Sequence, residues 1–398
     1  MKKDLVAHAA TRSASVVGLA QKLIRRPSRG GIDDYGPVLG VLEGWLSGQG
    51  LPHRRLHDRR GDLVGLLVEI VGGRPGPWWT LDACVDTAPF GDEEAWSFPP
   101  TAGDVVGGFL RGRGSADSKL AASVFCHLAA DLLPSAAGLR GGLSVLLDVD
   151  EHTGGFGGAR AFLEDSQAVT PAGVMIGYPG MDDVVVGGRG LWRATLTVTA
   201  DSGHSGSSRT VLGAVSRAAR LVQLLDAADL PGAPEAGALF SLPPKVSVTA
   251  VHGGEGFSVT ADRCDVNVDV RTTPAFDARD AETLVRGAAT TLDAELPGPT
   301  ATRVTPVASW PPFQLQPHEQ PAAAVLDAAA SLGITVQPKT AGPSNIGNML
   351  AGHGISAIAG FGVPYVGLHG IDERASLAEL PEVYAVYLRA VRSLMDAH

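Results

Sequence analysis

Four short stretches carry side chains that could do chemistry. Cys84 and Asp86 in "DACVD" alternate at i, i+2 and so face one side of an extended segment. Asp117 lies in the glycine-rich "GRGSAD", Glu151 and His152 stand together in "LDVDEHTGGFGG", and His369 falls in "GLHGIDE". Carboxylate, imidazole and thiolate form a transition-metal donor set, because zinc accepts oxygen, nitrogen and sulfur ligands. A glutamate beside such a set, itself unliganded, can take the proton of a metal-bound water. There is no local signature such as HExxH, so spacing alone leaves solvated turn residues as the competing reading. His8, His53, His57, His127, His318 and His353 are read as surface or structural, the commoner fate of a lone histidine.

These side chains need a scaffold that gathers them. The segments "DLVGLLVEI", "WWTLDACVD" and "GLSVLLDVD" are near-continuous apolar strands, and helical segments "ATRSASVVGLAQKLIRR", "YGPVLGVLEGWLSGQG" and "SKLAASVFCHLAADLL" surround them. That alternation implies an α/β fold with a mostly parallel sheet covered by helices on both faces. Ligand sites in such sheets gather at the carboxyl ends of the strands, where Asp86 and Glu151 fall. From about residue 188 the texture changes. "LWRATLTVTA", "KVSVTAVHGG" and "RCDVNVDVRTTP" alternate apolar and polar residues as half-exposed antiparallel strands do, with helices "VLGAVSRAARLVQLLDAA" and "ARDAETLVRGAATTLDAEL" among them. The α/β texture returns near residue 310 with "AAAVLDAAASLGI", "ISAIAGFG" and "LPEVYAVYLRAVRSLMDA". The expected organisation is a catalytic domain in two parts, 1–187 and 309–398, interrupted by a smaller α+β domain at 188–308.

Composition narrows the function classes. A chain of 398 residues is long for one core. Its net charge of −10 argues against a general nucleic-acid binder, which needs a basic face. Cys84, Cys126 and Cys264 are odd in number and widely separated, which points to a reducing cytoplasm and not to a disulfide framework. No signal peptide is expected, since no unbroken apolar core follows Lys2 and Lys3. No apolar run approaching the roughly 18 residues of a bilayer span is expected either.

In their order, these segments resemble the acetylornithine deacetylase, succinyl-diaminopimelate desuccinylase and aminoacylase family of metallo-amidohydrolases, over nearly the whole chain. In that family a Gly-His-x-Asp strand end, a Gly-Arg-Gly-x-x-Asp turn, an Asp-Glu-Glu-x-Gly turn, a Gly-Glu-Pro segment and a late His build a two-zinc site. The matching stretches here are "DACVD", "GRGSAD", "DEHTGGFGG", "GYPG" and "GLHGIDE", with "SGHSGS" and "VNVDVRTTP" matching in the inserted domain. The resemblance implies that the insert is a ferredoxin-like lid and dimerisation domain.

Three positions depart from the family pattern. Cys84 stands where the first zinc-binding His would be, His152 where the second Glu of the pair would be, and Tyr178 where the carboxylate before proline would be. Carried over, one metal would use Cys84, Asp117 and Tyr178, and the other Asp117, His152 and His369. A neutral tyrosine, with an ordinary pKa near 10, is a poor zinc ligand, so the first site is damaged and the second remains workable. The resemblance thus implies one zinc or other divalent transition metal, a doubtful second one, and a metal-free centre as the alternative. Glu151 resembles the general base. Asp86 resembles the residue that orients the first ligand, a role it would lose beside Cys84. His204 resembles a histidine that steadies the oxyanion, commonly across a dimer interface, and Arg271 one that grips a substrate carboxylate. Ser258 stands where the family places an amide, while Ser344, Asn345 and Tyr178 are further substrate-side candidates.

The expected function is a metal-dependent amidohydrolase, a cytoplasmic homodimer. It would cleave an N-acyl or N-aminoacyl amino-acid-like substrate bearing a carboxylate, through metal-bound water with Glu151 as base. No nucleic-acid or membrane partner is expected. Two alternatives remain at this stage: a metal-poor enzyme using Cys84, His152 and Glu151 or Asp117 for acyl transfer or cyclisation, and an inactive binding protein.

Overall fold

The computed structural model describes residues 2–208, 211–232, 235 and 238–396. The chain forms two compact units. The first comprises Met1–Val186, Leu315–Lys339 and Asn345–His398; the second comprises Gly187–Gln314 and Thr340–Ser344. The sequence reading placed the return to the first unit at residue 309. The return falls later, at Leu315, because the Arg303–Trp310 strand completes the sheet of the second unit.

In the first unit, strands His53–His57, Leu63–Val71, Arg140–Asp148, Arg74–Cys84, Gly173–Ile176, Ser356–Gly360 and Asp183–Gly188 run side by side in that order. The middle four are mutually parallel. Antiparallel neighbours flank them on both sides, Leu63–Val71 against Arg140–Asp148 and Asp183–Gly188 against Ser356–Gly360. The central strands are mostly apolar where both faces are covered: Arg140–Asp148 is buried from Gly141 onward.

The helix Lys119–Leu132 packs on the Arg74–Cys84 strand and against the helix Lys2–Ile24. With its continuation to Gly138 it forms a 20-residue stretch in which an 18-residue window reaches a mean hydropathy of 1.4, apolar enough by composition to cross a bilayer. The sequence reading did not expect so long an apolar run, since alanines and a buried Ser123 and His127 dilute it by eye. The helix Lys119–Leu132 is largely buried in the first unit, while Leu133–Gly138 has no buried residue.

Register sets the site. Cys84 pairs with Asp148 and Asp82 with Ile176 across the parallel strands. The three strands therefore end together, and the chain beyond each end supplies Asp86, then Glu151 and His152, then Tyr178.

The second unit is a four-stranded antiparallel sheet in the order Lys245–Gly253, Arg263–Thr272, Gly190–Thr199, Arg303–Trp310, with helices Ala214–Asp226 and Ala278–Glu295 packed on it. In chain order this is strand–helix–strand–strand–helix–strand, the ferredoxin-like arrangement. Alternate residues Leu196, Val198, Val266, Val268 and Val270 meet Leu221, Leu225, Val285 and Leu292 in its core. Asp277 and Asp280 close the start of the second helix as a capping box.

Candidate active site

Asp117, His152 and His369 converge. One ligand atom from each lies within 4.8 Å of the others. His369 Nε2 is 2.9 Å and His152 Nε2 3.5 Å from the same oxygen, Asp117 Oδ2, and the two rings stand edge to face at 5.2 Å. The other Asp117 oxygen accepts the Ser118 hydroxyl at 2.7 Å. The His152 side chain is only 4% exposed, yet neither ring nitrogen makes a hydrogen bond. Buried polar atoms are rarely left unpaired, so this imidazole fits a missing cationic partner. Burial alone would depress its pKa, but Asp117 and Asp86 outweigh that and lift it to about 11. Burial likewise works to raise the Asp117 carboxyl, and His152 and His369 overcome it and hold the group well below the usual range. Asp117, His152 and His369 are thus arranged as a cation would require.

Asp86 was expected to lose its orienting role beside Cys84. It has a different one. Its two oxygens accept the backbone N–H groups of Glu151 at 3.2 Å and His152 at 3.0 Å, and Oδ2 lies 3.4 Å from His152 Nδ1. Asp86 thus holds the backbone of the Glu151–His152 turn and lies beside the His152 ring without a hydrogen bond to it.

Cys84 lies 3.7 Å from Glu151 Oε2, 3.8 Å from Ser118 Oγ and 4.0 Å from Asp117 Oδ1. Burial pushes its thiol up, and Glu151, Asp117, Asp86 and Asp148 push it further. A nucleophilic thiolate needs the opposite environment. Burial, then Asp117 and Glu151, also raise the Tyr178 phenol. Ligand atoms of Cys84 also lie within 4.8 Å of those of Asp117 and Glu151, and of Asp86 and His152. Glu151 is partly shielded beside them; burial, then the Asp117 charge, lifts its carboxyl to about 7.

Sequence reasoning missed four groups around this centre. Asp82 and Asp148, buried on the sheet with all four oxygens lacking hydrogen-bond partners, are pushed up by burial, Asp82 further by Glu151 and Asp148 by Asp82. A charged residue inside a run of buried aliphatic residues is a readable signal for them. Arg113 and Glu373 form a buried ion pair at 2.6 Å, for which the sequence has no signal beyond the motifs that contain them.

Of the remaining candidates, His204, Ser258, Arg271 and Ser344 belong to the second unit and Asn345 to the first. His204, on the short Gly203–His204 strand paired with Val259–Thr260, is exposed, and its Nδ1 accepts the Gly206 N–H at 3.0 Å. Ser258 lies on the same ribbon, its carbonyl accepting the Ser205 N–H. Arg271 donates to Asp269 at 2.7 Å and to Ser344 Oγ at 3.2 Å. Asn345 caps the helix Ile346–Gly352, its side-chain oxygen accepting the Gly347 N–H at 2.8 Å.

Comparison with known proteins follows the same outline. The model of Peptidase family M20/M25/M40 matches residues 82–393. A succinyl-diaminopimelate desuccinylase of Parvibaculum lavamentivorans is 27% identical over 94% of either chain. Among solved structures, an M20 family metallo-carboxypeptidase of Sulfolobus solfataricus is similar with a TM-score of 0.77 and 14% identity, covering 95% of this chain and 98% of that one. A Bacillus subtilis protein described as a dinuclear metal binding peptidase is similar with a TM-score of 0.73 and 16% identity, covering 99% and 100%.

Proposed function

This chain belongs to peptidase family M20/M25/M40, a hydrolase of amide or peptide bonds, and on that premise we propose that it is a single-metal deacylase or dipeptidase-like enzyme. Its substrate is an N-acyl or N-aminoacyl amino acid with a free carboxylate. The observation that carries this reading is the meeting of Asp117, His152 and His369 within 4.8 Å, with a separate carboxylate, Glu151, beside them.

Asp117, His152 and His369 hold the ion, zinc or another divalent transition metal. Such an ion supplies a polarised carbonyl and a water acidic enough to attack near neutral pH. Asp86 holds the backbone of the turn that carries Glu151 and His152. Glu151, with a pKa raised to about 7, takes the proton of the attacking water and passes it to the departing amine. His204 steadies the oxyanion that develops on the carbonyl, contributed within a homodimer, and Arg271 pairs with the substrate carboxylate through its planar fork. The Asp269 contact holds that guanidinium in place while occupying part of it. Three free, buried cysteines fit a cytoplasmic location. The thiolate alternative gains no support from Cys84, whose surroundings favour the thiol.

The test is Glu151→Gln on zinc-loaded protein assayed with N-succinyl and N-acetyl amino acids and dipeptides. Full zinc content with turnover reduced at least about a hundredfold, the scale of general-base catalysis, is expected. Unchanged turnover would remove Glu151 from the mechanism.

A further inference from the structure

Asp117 and His369 are 252 positions apart in the chain, yet their side chains meet at 2.9 Å. Neither lies in a helix or strand: Asp117 is in the turn before the helix Lys119–Leu132, and His369 is in a loop with φ of 58°. A left-handed backbone at a non-glycine residue is unfavourable and needs surrounding contacts to hold it. No regular backbone ladder sets the separation of these two side chains.

Glu373, 0% exposed, and Arg113, 2% exposed, link the two segments. Glu373 Oε1 accepts the backbone N–H groups of Gly114 at 3.0 Å, Ala116 at 3.0 Å and Asp117 at 3.4 Å. Its other oxygen accepts Arg113 Nη1 at 2.6 Å. Arg113 Nη2 then donates to the carbonyls of Gly370 at 2.8 Å, His369 at 3.3 Å and Pro89 at 3.0 Å. The circuit closes through the Gly112 N–H, which donates to the Glu373 carbonyl at 2.9 Å. One ion pair thus grips the Asp117 turn by its N–H groups and the His369 loop by its carbonyls. A buried ion pair adds little stability over apolar residues of the same volume, so stability alone gives little reason for one here.

We propose that Arg113 and Glu373 are positioning residues that set the Asp117–His369 spacing and thereby the affinity of the centre for a divalent transition metal. The proposal rests on the reading of Asp117 and His369 as ligands. Neither Arg113 nor Glu373 coordinates the ion; they act through the backbone of the two segments.

The test uses the full chain with Glu373→Gln, which keeps shape and one acceptor oxygen, and Arg113→Lys, which keeps charge but loses the fork. Zinc affinity is read by competition with a chromophoric chelator, ligand geometry by the visible spectrum of the cobalt(II) form, and folding by thermal unfolding of metal-free protein. The expected result is a zinc affinity lowered roughly 10–100-fold, the usual effect of removing an outer partner of a metal ligand. A changed cobalt spectrum and cooperative unfolding of the metal-free variants accompany it. Unaltered affinity and spectrum in both folded variants would overturn the proposal. So would loss of folding in both without metal, which marks a purely structural pair. Asp117→Asn and His369→Ala run in parallel; zinc binding undiminished in these means that the ligand reading has failed, not the positioning.

Discussion

At the scale of single residues, the centre separates groups by protonation. Glu151 is lifted to about 7 by burial and by Asp117, and a base must be unprotonated to act. Activity should therefore fall as pH drops through the Glu151 pKa, with a limb at or below 7, since a bound cation favours the carboxylate. A kcat/KM profile from pH 5 to 9 checks this, and an acid limb that persists unchanged in Glu151→Gln would assign it to another group. Cys84 and Asp86 give opposite expectations. On the proposed single-metal reading, Cys84→Ala should leave zinc content near one equivalent, since Cys84 is not among the three proposed ligands. Asp86→Asn should lower zinc affinity by about tenfold or more, as His152 loses the carboxylate beside its ring; equilibrium competition for zinc distinguishes the two.

At the scale of elements, the carboxyl ends of the central parallel strands concentrate acid. Burial, and then the Asp82 charge, raise the Asp148 pKa above the ordinary 3.8. The nearby Ala159 N–H opposes this slightly but falls outside hydrogen-bonding geometry. The sign follows from linkage: stability is complete below the ordinary carboxylate range and declines as pH rises toward the raised value. Asp148→Asn should thus gain stability over the parent more at pH 7 than at pH 3, in urea unfolding of metal-free protein. The helix Gly157–Glu164 rests closely on the same strand. A Cβ at Gly158 would lie 2.4 Å from Asp148 Cβ and 2.4 Å from the Val64 carbonyl. Because the carbonyl belongs to a sheet backbone, Gly158→Ala should destabilise by about 1–3 kcal/mol, read from the same unfolding curves.

At the scale of the whole molecule, the sequence was most legible where a pattern repeats. Continuous apolar strands between helices marked the first unit, and strict alternation around Val266, Val268 and Val270 marked the second. The convergence of Asp117, His152 and His369 was legible only through resemblance, because their meeting depends on parallel register and on loops far apart in the chain. Arg113 and Glu373, 260 positions apart, have no periodicity that would pair them. The stretch Lys119–Gly138 was misjudged because its burial, not its composition, decides what it is. The second unit exposes Phe257 fully and Val259 and Val251 by about half, more apolar surface than isolated side chains usually leave in water. For the proposed homodimer, light scattering should return twice the 41.0 kDa of one chain; a single-chain mass at assay concentration would require His204 to act within its own chain or not at all.

The three donors are unequally shielded: the His369 ring is 51% exposed, while Asp117 and His152 are 3% and 4% exposed. On the proposed ligand set, His369 is the arm most open to solvent. A chelator would begin by peeling away that one arm, leaving a two-armed remnant inside, and stripping should slow sharply once substrate or inhibitor covers His369.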